Sequence, residues 1–129
     1  MQVVHQENQA QDLHFEHILW IKELDFFEGE LKFFENRLGD LVMRYRSIEV
    51  LAQLEHFQNQ FIRQKEVLDK LSRDIRVHEQ ALSLKIKKEQ PLSDLLPGEH
   101  TELRRRMADF RKIYSGLKEK FFAFLAKWY

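Results

Sequence analysis

From Leu13 to Tyr45 the positions Leu13, His17, Trp20, Leu24, Phe27, Leu31, Phe34, Leu38, Leu41 and Tyr45 recur at alternating spacings of four and three. That is the seam of a coiled coil. A helix with an apolar stripe of this length is stable only when other helices cover the stripe. The chain must therefore supply covering helices, and two further seams of the same period do so. One comprises Val50, Leu54, Phe57, Phe61, Gln64, Leu68, Leu71, Ile75, His78 and Leu82; the other Leu103, Met107, Phe110, Tyr114, Leu117, Phe121, Phe124 and Trp128.

Breaks between the seams are few. Ser47 is a good N-cap for a second helix. Pro91, Ser93, Asp94, Pro97 and Gly98 form the one cluster of breakers, and so mark a loop. The expected elements are helices over about 10–45, 48–89 and 99–128, with a loop at 90–98. Val3, Gln6 and Ala10 continue the first seam backwards, which allows an earlier start. Gly39 is expected to lie inside the first helix, because the seam continues past it to Leu41 and Tyr45; a break at Gly39-Asp40 is the alternative. Three seams joined by a tight turn and a short loop give an all-α, antiparallel up-down-up, coiled-coil-like bundle, read as a single domain over 1–129. Glu16, Glu23 and Glu30 flank the first seam and Arg104, Arg106, Arg111, Lys118 and Lys120 the third. Opposite charges at such flanking positions choose helix neighbours.

Bulk properties narrow the function classes. Lys and Arg total 21 against 21 Asp and Glu, so no overall field recruits nucleic acid or an acidic membrane. The chain contains no Cys, which removes disulfides and thiolate metal sites and fits a reducing compartment. No stretch approaches the ~18 apolar residues of a membrane span, and residues 1–11 do not read as a secretory signal. A cytoplasmic protein without membrane insertion is expected.

Two surfaces invite a functional reading. Leu19, Phe26 and Phe33 form a second stripe on the first helix, about 100° round from Trp20, Phe27 and Phe34. Phe122, Leu125 and Tyr129 add apolar surface at a similar axial level. A wider core could absorb these residues, but apolar patches of this kind also mark interfaces. The leading expectation is a non-enzymatic protein that acts through self-association, as a homodimer forming a larger bundle, or through another helical protein. It requires no cofactor.

The second surface is a cluster of His14, His17, His78 and Glu79, which axial counting places at one end of the bundle, with Asp109 near the same level. Imidazoles and carboxylates from several helices are how hemerythrin-like and ferritin-like metal sites are built. The alternative expectation is therefore a bundle binding a first-row transition metal through these five residues. The Glu-x-x-His pairs of the di-metal proteins are missing, since Gln53 stands where Glu would precede His56. Seam histidines partly solvated at a bundle end are the plainer reading.

The run Arg104-Arg105-Arg106 points to three faces of a helix and reads as a salt-bridged surface, so nucleic acid is not an expected partner. There is no phosphate-binding Gly-rich loop, nucleophile elbow or zincin motif, and a packed rod offers no obvious substrate cleft. An enzyme is not expected. The segments Glu55-His56-Phe57-Gln58-Asn59-Gln60-Phe61 and Phe121-Phe122-Ala123-Phe124-Leu125-Ala126-Lys127-Trp128-Tyr129 resemble stretches of small uncharacterised all-helical bacterial proteins. The resemblance implies a helical fold of similar length and carries no activity, cofactor or substrate with it.

Overall fold

The computed structural model describes residues 2–91 and 97–128, with side chains placed over 9–91 and 98–128. Three helices account for nearly all of it: α1, Gln2–Arg44; α2, Ile48–Lys87; and α3, Pro97–Trp128. At a rise of 1.5 Å per residue, α1 is roughly 65 Å long. It starts ahead of the expected position near 10, as the backward continuation of its seam allowed, and passes through Gly39 unbroken. Among the described residues no helix is long and apolar enough to cross a membrane.

The seams form the core. Leu24, Leu31, Leu38, Leu54, Phe61, Ile75, Met107 and Phe121 are all fully buried, and each is worth about 1.5–3 kcal/mol of transfer free energy. Side-chain levels fix the topology. Phe34 meets both Phe61 and Phe121, with ring centroids 5.4 and 5.7 Å away, while His17 meets His78 and His100. Residue numbers thus rise along α1 and α3 as they fall along α2, the up-down-up arrangement.

The parallel pair α1 and α3 is held in register by charge. Arg104 binds Glu16 at 2.8 Å, Arg111 binds Glu23 at 2.6 Å and Lys118 binds Glu30 at 3.0 Å. Each rung joins residues 88 apart in the chain, so the ladder climbs both helices in step, one heptad per rung. The rest of the arginine run is neutralised as expected: Arg105 bridges Glu102 and Asp109, and Arg106 pairs with Asp74 at 2.9 Å.

Two element boundaries differ from expectation. α2 ends at Lys87, two residues short of Glu89, because Glu89 adopts a left-handed φ of 54°. The Glu89 amide then donates to Ile86 O and the Gln90 amide to Lys85 O, the paired bonds of a Schellman cap with a residue other than glycine at its left-handed position. α3 starts at Pro97 instead of near 99, since the fixed φ and missing amide hydrogen of proline suit a first helical turn. The loop expected at 90–98 falls mostly on 92–96, which lie outside the described residues.

Candidate metal centre

Near the end of the rod that carries the α2–α3 connection, each helix places one histidine on the bundle axis: His17 from α1, His78 from α2 and His100 from α3. They are 0%, 6% and 9% exposed. The reason is positional. His17 and His78 occupy seam sites, and His100 sits three residues before Leu103, one step back along the third seam. Their ring centroids lie 5.0–5.7 Å apart, and one ring nitrogen of each falls within 4.8 Å of the others.

Each ring also faces a carboxylate on its outer side. His17 Nδ1 lies 2.9 Å from Glu79 Oε1, His78 Nδ1 lies 3.2 Å from Glu99 Oε2, and His100 Nε2 contacts Glu16 Oε1. Ionised carboxylates only accept, so the ring nitrogen facing each one carries the proton. A neutral imidazole has a single N–H. In these tautomers the remaining nitrogens, His17 Nε2, His78 Nε2 and His100 Nδ1, are left as lone pairs. His17 Nε2 and His100 Nδ1 stand 3.2 Å apart, two acceptors with no proton between them in these tautomers. His78 Nε2 is buried and has no hydrogen-bond partner among the described residues. The three lone pairs repel until a cation joins them.

Burial opposes a proton on two of the three rings. Burial lowers the pKa of His17, against the hydrogen bond and charge of Glu79. Burial likewise lowers that of His78, against the charge of Glu99. Two of the carboxylates, Glu16 and Glu79, are held below their ordinary value. Arg104 and His100 hold Glu16 down to about 2, despite partial burial. Burial pushes the Glu79 carboxyl up, but hydrogen bonds from His17 and from His14, at 2.7 Å, outweigh it and leave the group below its ordinary value. Trp20 closes the side toward the core, stacked on His100 at 5.0 Å between centroids.

Of the residues expected to form a metal cluster, His17, His78 and Glu79 do converge, and His14 joins them through Glu79. Asp109 does not: it is exposed and engaged with Arg105 at 2.6 Å. His100, Glu16 and Glu99 complete the arrangement and were not foreseen. At the expected interface, Leu19, Phe26, Phe33 and Phe122 are 50%, 62%, 67% and 48% exposed. Leu125 is half-buried against the core, and Tyr129 lies outside the described residues. Compared with protein-family models, with curated proteins and with solved structures, the chain matches none. The chemistry of the site therefore rests on its own geometry.

Proposed function

We propose that this is a metal-binding helical bundle holding one divalent first-row ion, of the zinc class, between His17 Nε2, His78 Nε2 and His100 Nδ1. The observation that carries the reading is the convergence of three buried imidazoles, each with its other ring nitrogen against a carboxylate. Three carboxylates take the three outer N–H groups, which leaves three lone pairs on the inner nitrogens. Carboxylate–histidine–metal relays have this design: the outer partner fixes the tautomer and raises the basicity of the ligand. Three imidazoles without sulfur suit zinc, and also copper, iron or nickel. Nitrogens bound to one tetrahedral ion at about 2.0–2.1 Å lie about 3.3–3.4 Å apart. The His17–His100 distance of 3.2 Å is close to this, and with all three ligand atoms within 4.8 Å of one another the His78 ring would close in on binding.

Elemental analysis of untagged protein purified without chelator, followed by reconstitution with Zn2+ or Co2+, tests the reading. The expected result is about one ion per chain, bound at least about tenfold more weakly after His17→Ala, His78→Ala or His100→Ala. Stoichiometry far below one after reconstitution, or retention in all three variants, would overturn it.

A second reading concerns association. The exposed Leu19, Phe26 and Phe33 stripe, continued by Phe122, supports assembly with itself or with another helical protein. Phe26→Asp with Phe33→Asp is expected to lower the mass of any assembly seen by light scattering. An unchanged mass would rule this face out.

A further inference from the structure

The exposed stripe of α1 is half of a second seam. Leu19, Phe26 and Phe33 are interleaved with Lys22, Gly29 and Asn36 at alternating spacings of three and four, so the two sets share one outer face of the helix. Phe15 and Asp12 continue the pattern backwards, Asp40 and Met43 forwards, and every one of these positions is exposed. The two sets differ in bulk. Leu19, Phe26 and Phe33 project large apolar side chains, whereas Lys22, Gly29 and Asn36 are polar or small. A Cβ on Gly29 would meet nothing within 4 Å, which leaves an open space on the surface between Phe26 and Phe33.

This face fits a copy of itself in one orientation. Two parallel copies laid face to face would set each position against its own equivalent: Phe26 on Phe26, Lys22 on Lys22, Asp12 on Asp12 and Asp40 on Asp40. Every charge on the seam would then meet its like, which is destabilising. Reversing one copy about a two-fold axis level with residues 27 and 28 sets the bulky positions against the small ones. Phe26 then fills the space over Gly29 of the second copy, and the second copy's Phe26 does the same in return. Lys22 meets Phe33, a cation–π contact; Leu19 meets Asn36, Phe15 meets Asp40 and Asp12 meets Met43. No like charges meet along the seam, and large side chains facing small ones allow the layers to interdigitate. Moving the axis to residue 26 would lose this, stacking Phe26 on Phe26 and bringing Asp12 against Asp40 twice.

Area is sufficient. Phe15, Phe26, Phe33 and Phe122 each leave about half to two-thirds of a surface of about 200 Å² uncovered. Phe122 reaches this face from α3, where its ring lies 5.7 Å from that of Phe34. With Leu19 these residues present roughly 550 Å² of apolar area per chain, or about 1,100 Å² in a pair, which reaches the size of a specific interface.

We infer that the partner of the α1 stripe is a second copy of this chain, packed antiparallel and two-fold, with Phe26 of each copy seated over Gly29 of the other. The inference rests on the association reading and names its partner. Such an interface uses the same patch on both copies and closes at two.

Light scattering of the full-length chain over a range of concentrations is the first measurement, and a reversible dimer is expected. Gly29→Leu fills the space that Phe26 needs. It is expected to weaken the dimer at least about tenfold, while the diluted, monomeric variant melts no lower than the parent because leucine is the better helix former. The orientation is read separately. The chain has no Cys, so Asp25→Cys or Met43→Cys accepts a single nitroxide label. Antiparallel packing separates the two labels of a dimer by about 7 Å along the axis at Asp25 and about 47 Å at Met43, measured by pulsed electron paramagnetic resonance. Equal separations at the two positions would overturn the antiparallel arrangement, and a dimer as tight or tighter with Gly29→Leu would overturn the seating of Phe26. A monomer at every concentration, or an assembly larger than two, would overturn the second copy as the closing partner. In contrast, a dimer that survives Phe26→Asp with Phe33→Asp would overturn the association reading of this face, and this inference with it.

Discussion

Glu79 shows how much one residue at this site controls. Its two oxygens hold His17 and His14, so it fixes the proton on His17 Nδ1 and frees Nε2 to face the cluster. Glu79→Gln keeps the shape, but its amide can present N–H to His17 and permit the opposite tautomer. Metal affinity is expected to fall about 10–100-fold with helicity unchanged, measured by competition against a chromophoric chelator. An unchanged affinity would show that the carboxylate does not set the tautomer. Protons report on the same residues. Without metal, His17 and His78 titrate below their ordinary value of 6.5 because burial disfavours the charged rings. The unfolded chain then takes up protons that the folded chain refuses, and stability must fall as pH drops below about 6.5. Glu16 and Glu79, both lowered, contribute stability above about 4.5 that is lost below it, in the same direction. Melting temperature of the metal-free protein is expected to be flat from about pH 7 upward and to decline from about 6.5 downward; a rise on acidification would contradict the burial of these rings. Sequence reasoning reached His17, His78 and Glu79 because axial counting aligns α1 with α2 to within a turn. It missed His100 because the third seam was begun at Leu103, just past the breakers at Pro97 and Gly98; one more step of three would have landed on it. Glu16 was read only as a rung to α3, and a charge ladder does not reveal that one oxygen also serves a histidine.

At the scale of the element, the seams were the legible part. Heptad spacing determines which positions are buried irrespective of tertiary detail, and the seam positions from Leu24 to Leu41, Val50 to Phe61 and Leu103 to Phe124 are buried or half-buried as the spacing demands. Boundaries were harder to read, because they depend on a few backbone angles. Glu89 is the clearest case, holding the left-handed position of the α2 cap at φ 54° where nothing in its side chain favours that conformation. Glu89→Gly should therefore raise stability by about 1 kcal/mol, read as a higher denaturant midpoint with an unchanged m-value. A loss of stability would mean that the Glu89 side chain contributes more than the backbone angle costs.

The whole molecule is a rod whose two ends differ in kind. One end gathers imidazoles and carboxylates on the axis. Farther along, Phe34, Phe57, Phe61, Phe121 and Phe124 pack with ring centroids 5.2–5.7 Å apart, and Tyr45 closes the α1 terminus by donating to the carbonyl of Trp128. Because every helix contributes one histidine and the ion-pair rungs repeat once per heptad, the site senses helix register and is indifferent to how far the rod extends beyond it. The architecture thus admits length variants in steps of seven residues, provided α1 and α2 change together. Excising 31–37, 58–64 and 118–124 in one gene, segments that share the level of Phe34, Phe61 and Phe121, is expected to give a shorter, less stable bundle that still takes up one cobalt ion per chain. Removing 31–37 or 58–64 alone should abolish uptake, because it shifts His17 against His78 across the turn at 45–47, whereas removing 118–124 alone should leave uptake in place. In lineages that carry such a rod, insertions and deletions between the histidines and the turn at 45–47 would accordingly come in matched sets, and a lone one would mark a copy in which the three histidines no longer meet.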